Sequence, residues 1–108
     1  MNEKAIALLS DVDKSIYNSK NYYTISPIMF QKINEKIDAK SGNQRTLLLY
    51  LIFQQQNGTF SPAETTIITT CNMLHSRYVE ARKGLIEKGL ITYIPYKSIT
   101  INYTKLME

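Results

Sequence analysis

The sequence predicts a single α+β domain, mainly helical, that ends in a β-hairpin. Apolar residues recur at helical spacings of three and four from Ala5 to Leu85, the signature of amphipathic helices packed on a shared core. Two Ser-Pro pairs, Ser26-Pro27 and Ser61-Pro62, set a capping hydroxyl before a proline whose missing N–H costs a first helical turn nothing. After Gly89 the pattern changes to the alternation of Ile99-Thr100-Ile101-Asn102-Tyr103, the period of a half-buried strand. With 108 residues, a second independent core would leave each half too small to hold itself together, so residues 1–108 are read as one unit.

Along the chain, Ala5, Leu8, Leu9, Val12 and Ile16 form one stripe within 2–18 and predict an N-terminal amphipathic helix. Tyr22-Tyr23-Thr24-Ile25 is β-prone, which makes 1–40 an extension of one helix, a short strand and the helix opened by Ser26-Pro27. That second helix is expected to bury Ile28, Phe30 or Met29, Ile33 and Ile37, and to end at the turn residues Ser41-Gly42-Asn43. The run Leu47 to Phe53 is apolar nearly all round, so the helix from about Gln44 to Gln56 should lie at the centre of the core until Asn57-Gly58 stops it.

Ser61-Pro62-Ala63-Glu64 has capping-box spacing and predicts a helix to about Cys71, followed by a left-handed turn at Asn72. A last helix then places Leu74, Tyr78, Ala81 and Leu85 on its buried face and ends at Gly89, completing a helix-turn-helix core over 41–89. The hairpin occupies 90–104, with Lys97-Ser98 at the break between strands and Tyr93, Tyr96 and Tyr103 as cross-strand packing partners.

Composition excludes several classes. No apolar run approaches the roughly 18 residues that cross a bilayer, and Ala5 to Leu9 is too short for a signal-peptide core, so no membrane partner and a cytoplasmic location are expected. Cys71 and His75 are the only residues of their types, which removes an internal disulfide and the usual zinc spacings; no metal and no cofactor are expected. No nucleophile with a base partner and no Gly-rich phosphate loop is present, so the chain reads as no enzyme. The net charge of +4 leans toward an anionic partner. Ten lysines against three arginines, with abundant Ile, Asn and Tyr, also fit an A/T-rich coding sequence.

From Ser41 onward, Ser61-Pro62-Ala63-Glu64, Asn72-Met73 and Ala81-Arg82-Lys83-Gly84-Leu85-Ile86-Glu87-Lys88-Gly89-Leu90-Ile91 resemble the winged helix-turn-helix family, in the branch of bacterial, phage and plasmid replication, partition and transfer accessory proteins. The resemblance covers about two thirds of the chain. It implies double-stranded DNA as partner, with the helix after the turn in the major groove and the hairpin as a wing on the neighbouring backbone or minor groove. Where the family usually caps that helix with serine or threonine this chain has Leu74, so the helix is expected to begin later, at Ser76 or His75.

On that docking the DNA-binding residues are Arg45, Ser76, Arg77, Lys83, Lys97 and Ser98. Arg77 can grip guanine or phosphate, and Arg45, with Lys40, flanks a helix start where N–H groups hold phosphate. Ser76, Val79, Glu80, Lys83 and Glu87 share the outward face, and the two glutamates there oppose deep insertion. The expected function is recognition of repeated or palindromic sites by a homodimer, in replication, partition, conjugative transfer or transcriptional control of a mobile element. The alternative is a winged-helix protein–protein adaptor that joins other replication or transfer proteins, a reading favoured by Glu80 and Glu87.

Overall fold

The computed structural model describes residues 25–108. They form an α+β, mainly helical fold: α1 (Pro27–Lys36), α2 (Gly42–Gln56), α3 (Glu64–Cys71), α4 (His75–Glu87), β1 (Ile91–Ile94), β2 (Ser98–Ile101) and α5 (Tyr103–Leu106). The expected N-terminal helix over 2–18 and the strand residues Tyr22, Tyr23 and Thr24 lie outside the described residues.

α1 starts as its sequence dictates, with the Ser26 hydroxyl accepting from the Met29 N–H at 3.1 Å and Pro27 in the first turn. Its buried side is narrower than expected. Ile33 and Ile37 are buried and Met29 packs on the core, whereas Ile28 and Phe30, to either side of Met29, are exposed. The helix also ends early, at Lys36. Ser41-Gly42-Asn43 does not terminate it; Ser41 stands at the N-cap of α2 and the chain re-enters a helix at Gly42. The cause is Arg45, whose guanidinium donates to Asn34 Oδ1 (3.1 Å) and to the carbonyls of Ile37 (3.0 Å) and Asp38 (3.5 Å), closing the loop between the helices.

α2 is the central element. Leu47, Leu48, Tyr50, Leu51 and Ile52 are all buried, as a helix apolar on nearly every side requires. Asn57 caps its C-terminus and Gly58, at φ +81°, turns the chain away. α4 crosses it closely at Gly84, where the Gln44 side chain lies and a β-carbon would collide with it.

The Ser61 capping box does not form. Ala63, extended at φ −63° and ψ 138°, is the N-cap, and α3 begins only at Glu64. A long-range bond outweighs the local signal: the Ile99 N–H of β2 donates to the Phe60 carbonyl at 3.1 Å, tying the segment before α3 to the edge of the hairpin. Asn72 takes the left-handed conformation (φ 53°, ψ 51°) that ends α3.

α4 opens at His75, after an N-cap Leu74 that makes no side-chain cap bond. Tyr78, Ala81 and Leu85 are buried as expected, but Leu74 is 72% exposed and does not belong to the core. Gly89, at φ +73°, then redirects the chain into the hairpin.

The two-stranded antiparallel sheet pairs Ile91 with Ile101, Thr92 with Thr100, Tyr93 with Ile99 and Ile94 with Ser98. Ser98 therefore lies in the ladder, not in the break. Ile91, Tyr93, Ile99 and Ile101 turn toward the core, and the alternate positions face outward. Gln55 of α2 anchors the sheet by accepting the Ile101 N–H at 2.6 Å. Tyr103 does not extend β2; Asn102 caps the short α5, and Leu106 plugs the core beneath it. Among the described residues, no helix is long and apolar enough to cross a membrane.

Candidate nucleic-acid interface

The junction of α3 and α4 is fixed by polar contacts between residues far apart in sequence. Glu64, the first residue of α3, meets His75, the first residue of α4, with Oε1 to Nε2 at 2.6 Å. Its other oxygen lies 4.0 Å from Arg82 Nη1. The Arg82 guanidinium covers two aromatic rings, 4.3 Å from the Tyr93 centroid and 5.2 Å from that of Tyr78. One carboxylate and one guanidinium thus join both helices to the hairpin, through ion pairing and cation–π attraction. Burial pushes the Tyr78 hydroxyl above its ordinary pKa of 10.0, and the neighbouring Arg82 partly offsets that rise. Burial likewise raises the thiol pKa of Cys71 and makes it a weaker nucleophile.

With Arg82 turned inward, the exposed side of α4 carries Ser76, Arg77, Glu80, Lys83 and Glu87, with Val79 half-buried at its edge; His75 and Ile86 are exposed as well. Arg77 Nη1 pairs with Glu80 Oε2 at 3.1 Å, both side chains more than half exposed. Such a pair is worth only about 0–1 kcal/mol, so Arg77 is free to exchange it for another anion. Between this side and the start of α2 lies an open cleft of about 240 Å³, lined by Lys40, Ser41, Asn43, Gln44, Arg77, Glu80 and Ala81. It brings a helix N-terminus, a lysine and the α4 arginine to one place. The Gln44 side chain in its lining accepts from Lys88 Nζ.

The residues singled out from sequence therefore fall in three places. Ser76, Arg77 and Lys83 share the exposed side of α4. Lys97 is exposed at the hairpin tip, and Ser98 is half-buried on the outward face of the sheet. Arg45 is spent on the α1–α2 loop, and its neighbour Lys40 lines the cleft instead.

Arg82 leaves the glutamates of its own helix alone: it lies along the core edge and pairs with Glu64 on α3. Of the three tyrosines expected as cross-strand partners, Tyr93 packs under Arg82, Tyr103 stands in α5 against Gln55, and Tyr96 projects entirely into solvent. The exposed Thr65, Thr66 and Thr69 on α3 line a shallow depression that sequence reasoning passed over. Among the described residues, no group of three or more His, Cys, Asp or Glu side chains is gathered as a metal shell.

Neither family models, nor curated proteins, nor solved structures gave a match to this chain.

Proposed function

We propose that this chain is a winged helix-turn-helix protein that binds double-stranded DNA without catalysing a reaction on it. On this reading α3, the Asn72 turn and α4 are the helix-turn-helix and the β1–β2 hairpin is the wing. The observation that carries it is the cleft in which Lys40, the α2 N-terminus and Arg77 converge beside the exposed side of α4. In the docking this implies, α4 enters the major groove with Ser76, Arg77 and Lys83 toward the bases and the phosphates that flank them, and one further phosphate sits between Lys40 and the first N–H groups of α2. Lys97 reaches phosphate from the wing, and the α3 threonines face the backbone that α3 crosses.

A single module of this size makes few base contacts, so the reading includes a homodimer on a repeated or palindromic site, and the apolar stripe of 2–18 is the surface assigned to it. The chain lacking residues 2–18 is then expected to sediment as a monomer; a truncated chain that stays dimeric removes that assignment. The cytoplasm is the natural compartment, and replication, partition, transfer or transcriptional control of a mobile element is the natural setting.

Glu80 supplies a direct test. Its carboxylate stands among the groups that would meet phosphate and holds Arg77 in an ion pair. Glu80→Gln is expected to tighten binding to an A/T-rich duplex roughly fivefold, about 1 kcal/mol for an exposed charge, as read by fluorescence anisotropy at low salt. Unchanged or weaker binding counts against α4 as the reading helix. The adaptor reading is favoured by the exposure of Glu80 and Glu87 on that same side, and there Glu80→Gln should weaken a protein contact.

A further inference from the structure

β1 and β2 are joined by Pro95, Tyr96 and Lys97, a turn closed by the Lys97 N–H on the Ile94 carbonyl at 3.0 Å. Tyr96 stands in the left-handed region at φ +63°. Among the described residues only Asn72 and Tyr96 do so without being glycine. Asparagine tolerates that conformation, but an aromatic residue pays in steric strain for it, and glycine would make the same turn freely.

Packing does not account for the tyrosine either. The residue is fully exposed, at 105% relative exposure. The tip of a two-stranded ribbon thus carries a strained aromatic ring in water, with Pro95 fixing the backbone before it and the exposed Lys97 after it. Ile94, 45% exposed on the outward face, adds apolar surface at its base. Among the described residues Lys97 forms no ion pair.

We propose that Tyr96 is a stacking wedge: the hairpin tip enters the minor groove of duplex DNA, the Tyr96 ring slides against a base at a flexible pyrimidine–purine step, and Lys97 holds the adjacent phosphate. This rests on the DNA-binding reading above and adds to it a contact that reads deformability instead of base edges. The chemistry fits the pair of residues. A partly unstacked base step offers an apolar face for a ring, and the phosphates bounding it offer the anion that Lys97 lacks. A wholly apolar partner surface would use the ring and leave the ammonium unpaired.

The test uses the full chain and an A/T-rich duplex carrying 2-aminopurine at its TA steps, a base whose fluorescence rises on unstacking. The native protein and Tyr96→Phe are expected to bind with a fluorescence rise. Tyr96→Gly, whose backbone suits the turn, is expected to melt no lower than the native chain, to bind about tenfold more weakly and to give no rise. Tyr96→Asn, also at ease at positive φ, should match Tyr96→Gly. Native binding without a fluorescence rise, or Tyr96→Gly binding and signalling like the native chain, overturns the wedge and leaves DNA binding standing. A native chain that binds no duplex at low salt overturns both.

Discussion

Leu85→Ala is expected to unfold this domain or bring it close to unfolding, while Lys97→Ala leaves its melting temperature unchanged. Leu85 is 0% exposed, and its carbonyl accepts the Leu90 N–H at 3.0 Å where α4 turns through Gly89 into the hairpin. It belongs to one core with Leu48, Leu51, Tyr78, Leu90 and Ile99, so its side chain helps weld α2, α4 and the sheet together. Truncating a buried leucine removes its transfer free energy and leaves a cavity, about 2–5 kcal/mol together. That is a large share of the roughly 5–15 kcal/mol that holds a small domain folded. Lys97 is exposed and contributes no comparable packing. Urea titrations of the two variants check this, and equal midpoints would contradict the packing of α4 on the hairpin.

The second large effect concerns binding. Arg77→Ala and Lys97→Ala are expected to weaken DNA binding by comparable amounts, each about 1 kcal/mol or more, and each to alter sequence preference. On the DNA-binding reading, α4 alone makes a poor reader, because Glu80 and Glu87 share its exposed side with Arg77 and Lys83. The hairpin tip, by contrast, carries Lys97 and no acidic residue. An affinity series in which Arg77→Ala abolishes preference while Lys97→Ala changes neither affinity nor salt dependence would return the whole of recognition to α4.

The parts of this fold legible in sequence are those governed by neighbours in the chain. Ser26-Pro27 caps a helix and Asn72 makes a left-handed turn because both act within a few residues. The apolar run of α2 announced its own burial. Where the structure departs from the local pattern, a contact beyond the neighbouring residues or a position at a helix end decides the outcome.

Ser61 lost its capping role because the Phe60 carbonyl is held by Ile99 of β2, and Glu64, the other half of the box, is taken by His75 and Arg82. Ser41-Gly42-Asn43 has the composition of a stop, but Arg45 closes the preceding loop and α2 starts there. Leu74 matches the helical period of α4, yet it stands at the N-cap, outside the stripe that touches α2.

The candidate interface divides the same way. Exposure of Ser76, Arg77 and Lys83 follows from the period of α4 once Tyr78, Ala81 and Leu85 are buried. That Arg45 is a loop clamp while Lys40 lines the cleft does not follow from any spacing, because both flank the same helix start. The chain Glu64–His75–Arg82–Tyr93 is likewise invisible in sequence, since its members are brought together only by the packing of α3, α4 and the hairpin. Tyr96 looked like any other hairpin tyrosine until the register placed it at the tip with a positive φ.

The most direct measurement of the central claim is the salt dependence of binding between the full chain and an A/T-rich duplex. If Lys40, Arg77, Lys83 and Lys97 meet phosphates, log affinity falls linearly with log salt at a slope of about −0.9 for each phosphate neutralised, near −3 to −4 per protomer. Replacing any one of these four by alanine should flatten the slope by about one phosphate. Absence of binding at low salt, or binding that does not weaken as salt rises, would contradict the account and favour an apolar protein partner.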